Sequence, residues 1–311
     1  MRLIGRKVLV LLLVAAPVMA GCQSWSAPRP GDWVSGDGAY PVRLPDGRTA
    51  WLFGDSMIRK PDGNDQLVHN TIVVEPSNGG TITTIHGGTI DRPTDLIPAT
   101  TPQTVIWPGA GFVEGGLLQV FAEEISVAGG SFRSTGRRLL VSLSLPDLKV
   151  TAQSEVYGGD ISWGQAVLVQ GGEVYVYGNR EIDGWTNITY LARFALHGSR
   201  GPWQFWDGFG FQQNLLSAAP LQGPVGTQQV AKLSSVIPRA GGVAAFTIDP
   251  YGTTIDVREA AHPWGPFSAK RPVYQLPERD TYLPRAYWDR GRVQVAYSVL
   301  NAKPRSAPPL S

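Results

Sequence analysis

The chain has 311 residues, 17 % of them charged and 10 % aromatic, with 37 Gly, 25 Pro, 10 Trp and a formal net charge of +2. Scattered basic residues at this near-neutral balance exclude a phosphate-tracking nucleic-acid surface, and the density of turn formers excludes a protein built on long helices. One cysteine excludes a disulfide scaffold, and four histidines without metal-ligand spacing give no reason to expect a metal or other cofactor.

The first element is an export signal. Arg2, Arg6 and Lys7 form a basic start, Val8 to Val18 is an apolar run broken only by Pro17, and Met19-Ala20-Gly21-Cys22 closes it. The run has the layout of a secretory signal and is too short to span a bilayer. An ordinary signal peptide would leave Cys22 incidental. Cys22 instead follows Ala-Gly directly and is the sole cysteine, an order that resembles the lipobox of bacterial lipoproteins. That resemblance implies an acylated Cys22 as the mature N-terminus. It also implies a protein held at the extracytoplasmic face of the cell membrane, since each buried CH₂ of an acyl chain contributes about 0.8 kcal/mol. The Ser-Trp-Ser-Ala-Pro-Arg-Pro run of Ser24 to Pro30 reads as part of a tether over residues 23–31, and with no further linker after it the rest reads as one domain over 32–311.

Beyond residue 31 one pattern recurs: an alternating apolar strand, a Gly turn, and a second alternating strand. It is centred on Pro45-Asp46-Gly47, Glu114-Gly115-Gly116, Gln170-Gly171-Gly172, Ala240-Gly241-Gly242 and Asp289-Arg290-Gly291. Period-2 alternation bounded by Gly turns is the hairpin signal. Such units with no helical segments between them predict an all-β fold, a five-bladed β-propeller with four strands per blade. A long β-sandwich is the alternative.

The first hairpin carries the chemistry. Pro45-Asp46-Gly47 has the residue order of a type I turn closed by a Gly bulge, which pairs Leu44 with Arg48, so that paired residues sum to 92. Asp37 and Asp55 share that sum, so continued pairing opposes the two carboxylates at the open end of the hairpin. Opposed Cβ atoms stand about 4.5–5.5 Å apart, near the separation used by retaining glycosidases. Gly36, Gly38 and Gly54 allow a ligand to approach closely. Two acids so placed repel, raising one pKa and leaving the other ionised, as an acid/base pair needs. The plainer alternative is that each Asp caps a turn.

Counting along the repeat yields further pocket candidates. One register gives Asp55, Glu124 and Arg180; another gives Asp55, Glu123 and Asn179. Both registers remain open, with Glu181 beside the second set. Trp107 and Trp163 precede their hairpins as Asp37 does, and are either sugar-stacking platforms or inter-blade core. His69-Asn70 heads the next strand with polar groups, for the pocket or for a turn.

Ser35-Gly36-Asp37-Gly38 followed by Leu44 to Ser56 (Leu-Pro-Asp-Gly-Arg-Thr-Ala-Trp-Leu-Phe-Gly-Asp-Ser) resembles the opening of the actinobacterial endo-D-arabinanase glycoside hydrolases. That family, once known only as a domain of unknown function, is related to the five-bladed arabinanase and levansucrase propellers. Tyr190 to Phe194 with Trp203 to Gly208, His262 to Phe267, and Arg292 to Ser298 resemble its later blades. The resemblance implies that Asp37 and Asp55 are catalytic. It also implies a polysaccharide substrate, D-arabinan of the cell wall, a monomer, and no cofactor. Leu283-Pro284-Arg285 departs from the related propellers, which often carry His before that Pro. Two other readings keep the scaffold: a non-catalytic glycan-binding lipoprotein, and a protein-interaction propeller.

Overall fold

A computed structural model describes residues 9–15, 24–26, 32–183, 186–224, 230, 233–249, 252–276, 281–289 and 291–299. The Met19 to Cys22 lipobox and residues 27–31 of the tether lie outside the described residues. Among the described residues the helical turns are two short 3-10 turns, Ala128–Gly130 and Leu215–Ser217; the rest of the regular structure is strand.

Each of the five Gly turns joins two paired antiparallel strands, with Arg43↔Thr49, Glu114↔Leu117, Gln170↔Glu173, Arg239↔Gly242 and Asp289↔Arg292 nearest the turn. Backbone geometry explains the glycines. Gly115 and Gly116 (φ 58° and 79°) and Gly171 and Gly172 (φ 62° and 78°) all occupy the left-handed region that two-residue hairpin loops demand. In the first hairpin Leu44 N–H donates to Arg48 O at 2.8 Å and Gly47 has φ 86°, the three-residue loop anticipated from Pro-Asp-Gly.

The first strands of the hairpins, Tyr40–Arg43, Thr104–Glu114, Ser162–Gln170, Ser235–Arg239 and Thr281–Asp289, each lie beside the next, and the fifth returns to the first. The ring removes the sandwich alternative: the protein is a five-bladed β-propeller. Blades 2 and 4 have four strands, and blade 3 gains a fifth at Phe211–Gln212. In blade 5 the backbone of Leu9–Ala15 and Ser24–Ser26 adds two strands outside Arg292–Val299, so both ends of the described chain meet there.

The core is distributed over five seams between neighbouring blades. Tyr40, Val42 and Leu52 meet Ile106 and Leu118 between blades 1 and 2, while Trp51 and Phe53 turn the other way, into a seam that includes Ala296 of blade 5. A blade covered on both faces has no polar side, which is why Thr49–Phe53 is buried at every position. The seams hold the inner strand ends in fixed relation, and the candidate site is built on those ends.

Candidate active site

Asp37 and Asp55 face each other across the first hairpin. The ladder keeps its sum of 92 on both sides of them, with Tyr40↔Leu52 below and Gly36↔Ser56 above. The pair therefore lies within a long hairpin rather than at its open end: Trp33–Gly36 continues against Ser56–Arg59, which pairs onward with Asp65–Val68. Asp37 N–H donates to Asp55 O at 3.3 Å, and Gly54 N–H donates to Asp37 O at 2.8 Å. Two residues thus oppose one, a bulge that breaks regular pairing and re-aims side chains. Beyond Asp37 the chain turns through Gly38 (φ 94°) and Ala39 (φ 46°), the second an uncommon conformation for a residue with a Cβ. Gly54 supplies room, because a Cβ on it would stand 2.7 Å from Asp37 Oδ1.

The two carboxyl groups have contrasting surroundings. Burial raises Asp37 from 3.8 to about 6, the Asp55 charge adds to the rise, and the hydroxyl of Tyr282, which donates to Asp37 Oδ2 at 3.1 Å, opposes it. Asp55 Oδ1 accepts from Trp107 Nε1 at 2.9 Å and lies 2.9 Å from His69 Nδ1. That hydrogen bond lifts His69 above its ordinary value against the effect of burial, so an imidazolium beside a carboxylate is favoured. His69 N–H in turn donates to Asp95 Oδ1 at 2.7 Å, and burial raises the Asp95 carboxyl.

On the neighbouring blade Trp107 is paired with Glu123. Glu123 is held at both oxygens, by Arg138 Nη1 at 3.1 Å and by Ser162 Oγ at 3.0 Å. Beneath Asp37, the fully buried Arg285 lies 3.6 Å over the Tyr40 ring and donates to the carbonyls of Gly38 (3.3 Å), Gln165 (3.1 Å) and Ser234. One guanidinium from blade 5 thereby ties together inner-strand backbone of blades 1, 3 and 4. Among the described residues no three His, Cys, Asp or Glu side chains converge as a metal-ligand set.

The structure brings Asp37, Asp55, His69 and Trp107 together and sends other expected pocket residues elsewhere. Strand alternation puts Glu124 on the face away from Glu123, where it is buried against Thr100, Thr135 and Arg137 (2.9 Å). Asn70 is buried with both ends of its amide on the backbone of Ile97 and Ile106. Trp163 packs against Trp203 and Phe205 in the seam between blades 2 and 3, so it is core and not a sugar platform. Asn179 is buried, linking Thr189 to the Leu233 carbonyl. Arg180 and Glu181 stay at the rim, Arg180 3.5 Å from Asp160 and over the Tyr190 ring, Glu181 exposed. Tyr282, Asp95, Arg138 and Arg285 were not anticipated from sequence.

A family model described as "Domain of unknown function (DUF5005)" matches residues 27–300. The chain belongs to the DUF5005 family. No curated protein matches this sequence. Solved structures share the fold of this DUF5005 chain at low identity. A Bacteroides ovatus protein, provisionally described as a hydrolase, has a TM-score of 0.69 at 14 % identity over 87 % of both chains. The endo-arabinase of Bacteroides thetaiotaomicron has a TM-score of 0.52 at 12 % identity, over 87 % of this chain and 95 % of its own. CoXyl43, a β-xylosidase/α-arabinofuranosidase from a compost microbial metagenome, has a TM-score of 0.51 at 12 % identity over 86 % of both chains.

Proposed function

We propose that this DUF5005 chain is a lipid-anchored glycoside hydrolase that cleaves furanosidic polysaccharide, D-arabinan of the actinobacterial cell wall, with Asp37 and Asp55 as its catalytic pair. The observation that carries the reading is the opposition of these carboxyl groups across one bulge in contrasting surroundings. Asp37, half-buried and raised to about 6, keeps its proton into the pH range where a glycosidic oxygen must receive one. Asp55 is held at Oδ1 by Trp107 and His69, and its Oδ2 is free to attack.

In the first step Oδ2 of Asp55 forms a bond to the anomeric carbon while the bond to the leaving oxygen breaks, and Asp37 gives that oxygen its proton. In the second, Asp37 as carboxylate takes a proton from water, whose oxygen displaces Asp55 and releases the sugar with its configuration retained. Propeller neighbours that act on arabinose- and xylose-containing glycans, by their descriptions, support the substrate class. Anchoring rests on the Ala20-Gly21-Cys22 order; processing before Cys22 makes the strand Leu9–Ala15 a feature of the precursor alone. A non-catalytic glycan-binding lipoprotein is the competing reading, favoured by the contact between His69 and Asp55, which occupies one oxygen of the nucleophile.

The test is incubation of the purified protein with D-arabinan, followed by oligosaccharide analysis and NMR of the first-formed product. Cleavage with retention is expected. An intact polymer would leave the binding reading, and an inverted first product would remove Asp55 as nucleophile.

A further inference from the structure

The loop from Val127 to Phe132 joins the second and third strands of blade 2 at the same end as Glu123 and Trp107, since Ser126 pairs with both Thr104 and Arg133. Its Gly129 and Gly130 have φ 67° and 72°, and a Cβ on either would meet nothing within 4 Å. The loop therefore stands clear of its surroundings, and backbone shape rather than crowding requires glycine there. At its end Phe132 is 54 % exposed. A single exposed aromatic is ordinary. This one is not isolated: its ring stacks on Trp107 with centroids 5.4 Å apart and planes 24° apart, and Trp107 donates from Nε1 to Asp55 at 2.9 Å. Phe132, Trp107 and Asp55 thus form a line from solvent to the carboxylate.

Beside this line Asp37 opposes Asp55, His69 Nδ1 lies 2.9 Å from Asp55 Oδ1, and Glu123 pairs with Trp107. An ionised carboxylate such as Asp55 only accepts hydrogen bonds, so a ligand resting here must bring a donor on one side and an apolar face for Phe132 on the other. An apolar peptide lacks the donor. A neutral polyol ring has both, with hydroxyls at its edge and C–H bonds on its face.

We propose that Phe132 is a sugar-binding platform: a glycan residue neighbouring the bond held at Asp37 and Asp55 packs its C–H face on the outer side of the Phe132 ring, with Trp107 backing the inner side. The proposal rests on the catalytic reading of that pair. Loss of one aromatic face corresponds to a weakening of about 2- to 12-fold.

The test uses the full chain in mild detergent carrying Asp37→Asn, so that ligand is bound and not consumed, with D-arabinofuranosyl oligosaccharides of two to eight residues titrated by calorimetry. Adding Phe132→Ala is expected to weaken binding by that factor for the longer oligosaccharides, with the thermal midpoint unchanged because the ring is exposed. Phe132→Tyr or Phe132→Trp is expected to restore it. Unchanged affinity at every length in Phe132→Ala, with the parent variant binding, overturns the platform and leaves the catalytic pair intact. No binding by the parent variant at any length overturns the platform. Cleavage of arabinan by the unaltered protein decides the catalytic reading separately.

Discussion

The hydroxyl of Tyr282 donates to Oδ2 of Asp37 at 3.1 Å across the seam where the fifth blade meets the first. It stabilises the ionised carboxylate and so holds the Asp37 pKa below the value that burial alone would set. Tyr282→Phe removes that donor, so the alkaline limb of kcat/KM on arabinan is expected to move to higher pH. A limb that stays in place or moves to lower pH excludes Asp37 as the group that must be protonated.

Asp55→Asn tests the other carboxyl. The amide keeps the shape of the side chain and its contact with Trp107 but cannot form a glycosyl ester. A loss of about 10²- to 10⁴-fold in kcat is expected, with thermal unfolding nearly unchanged. A variant retaining most of its activity reduces Asp55 to a turn residue.

Stability should also depend on pH through Asp37. Its folded value, about 6, lies above the ordinary 3.8, so the native state binds the proton more tightly than the unfolded chain. The contribution is fully present below about pH 4 and is lost as pH rises through about 6. Asp37→Asn cannot ionise, so relative to the parent it should gain about 2–3 kcal/mol between pH 4 and pH 8. Denaturant melts at both pH values measure it. A constant difference across that window would place the Asp37 carboxyl in ordinary solvent.

Gly54→Ala separates geometry from stability. The added Cβ would meet Asp37 Oδ1 at 2.7 Å, the far end of a side chain that can swing away, so the thermal midpoint should barely change. A carboxyl displaced by about 1 Å is expected to cost on the order of 10²-fold in kcat/KM. Full activity in this variant would mean that the position of Asp37 is immaterial.

The pairing of Asp37 with Asp55 was legible because a Pro-Asp-Gly turn sets the register, and the register alone specifies which residues meet. The five blades were legible for the same reason, each marked by its own Gly turn. What alternation could not decide was the phase: both Glu123 and Glu124 suit a strand end, and only non-local partners distinguish them, Arg138 on the next strand of the same blade and Ser162 on the next blade, both reaching Glu123. Trp107 and Trp163 hold equivalent positions before their hairpins, yet one lies beside Asp55 and the other is core. Trp163 is paired with Gly178, where a Cβ would lie 2.7 Å from the indole, so the ring folds flat into the seam. Trp107 is paired with Glu123 and has no such recess. Tyr282 and Arg285 come to Asp37 and Gly38 from about 245 residues away, across a closure that local patterns do not encode.

Among the described residues from 32 onward, no strand of blade 1 pairs with a strand of blade 5. The contacts that span this join include Tyr282 to Asp37, Arg285 to the Gly38 carbonyl, and Gly38 N–H to Ser298 Oγ. The polar clasp of the ring is thus made from Asp37, the proposed acid, and the residue after it. Parting of the two blades would separate Asp37 from Tyr282 before any blade is broken, so under the proposed function rising denaturant should abolish arabinan cleavage while the blades still give a native β spectrum.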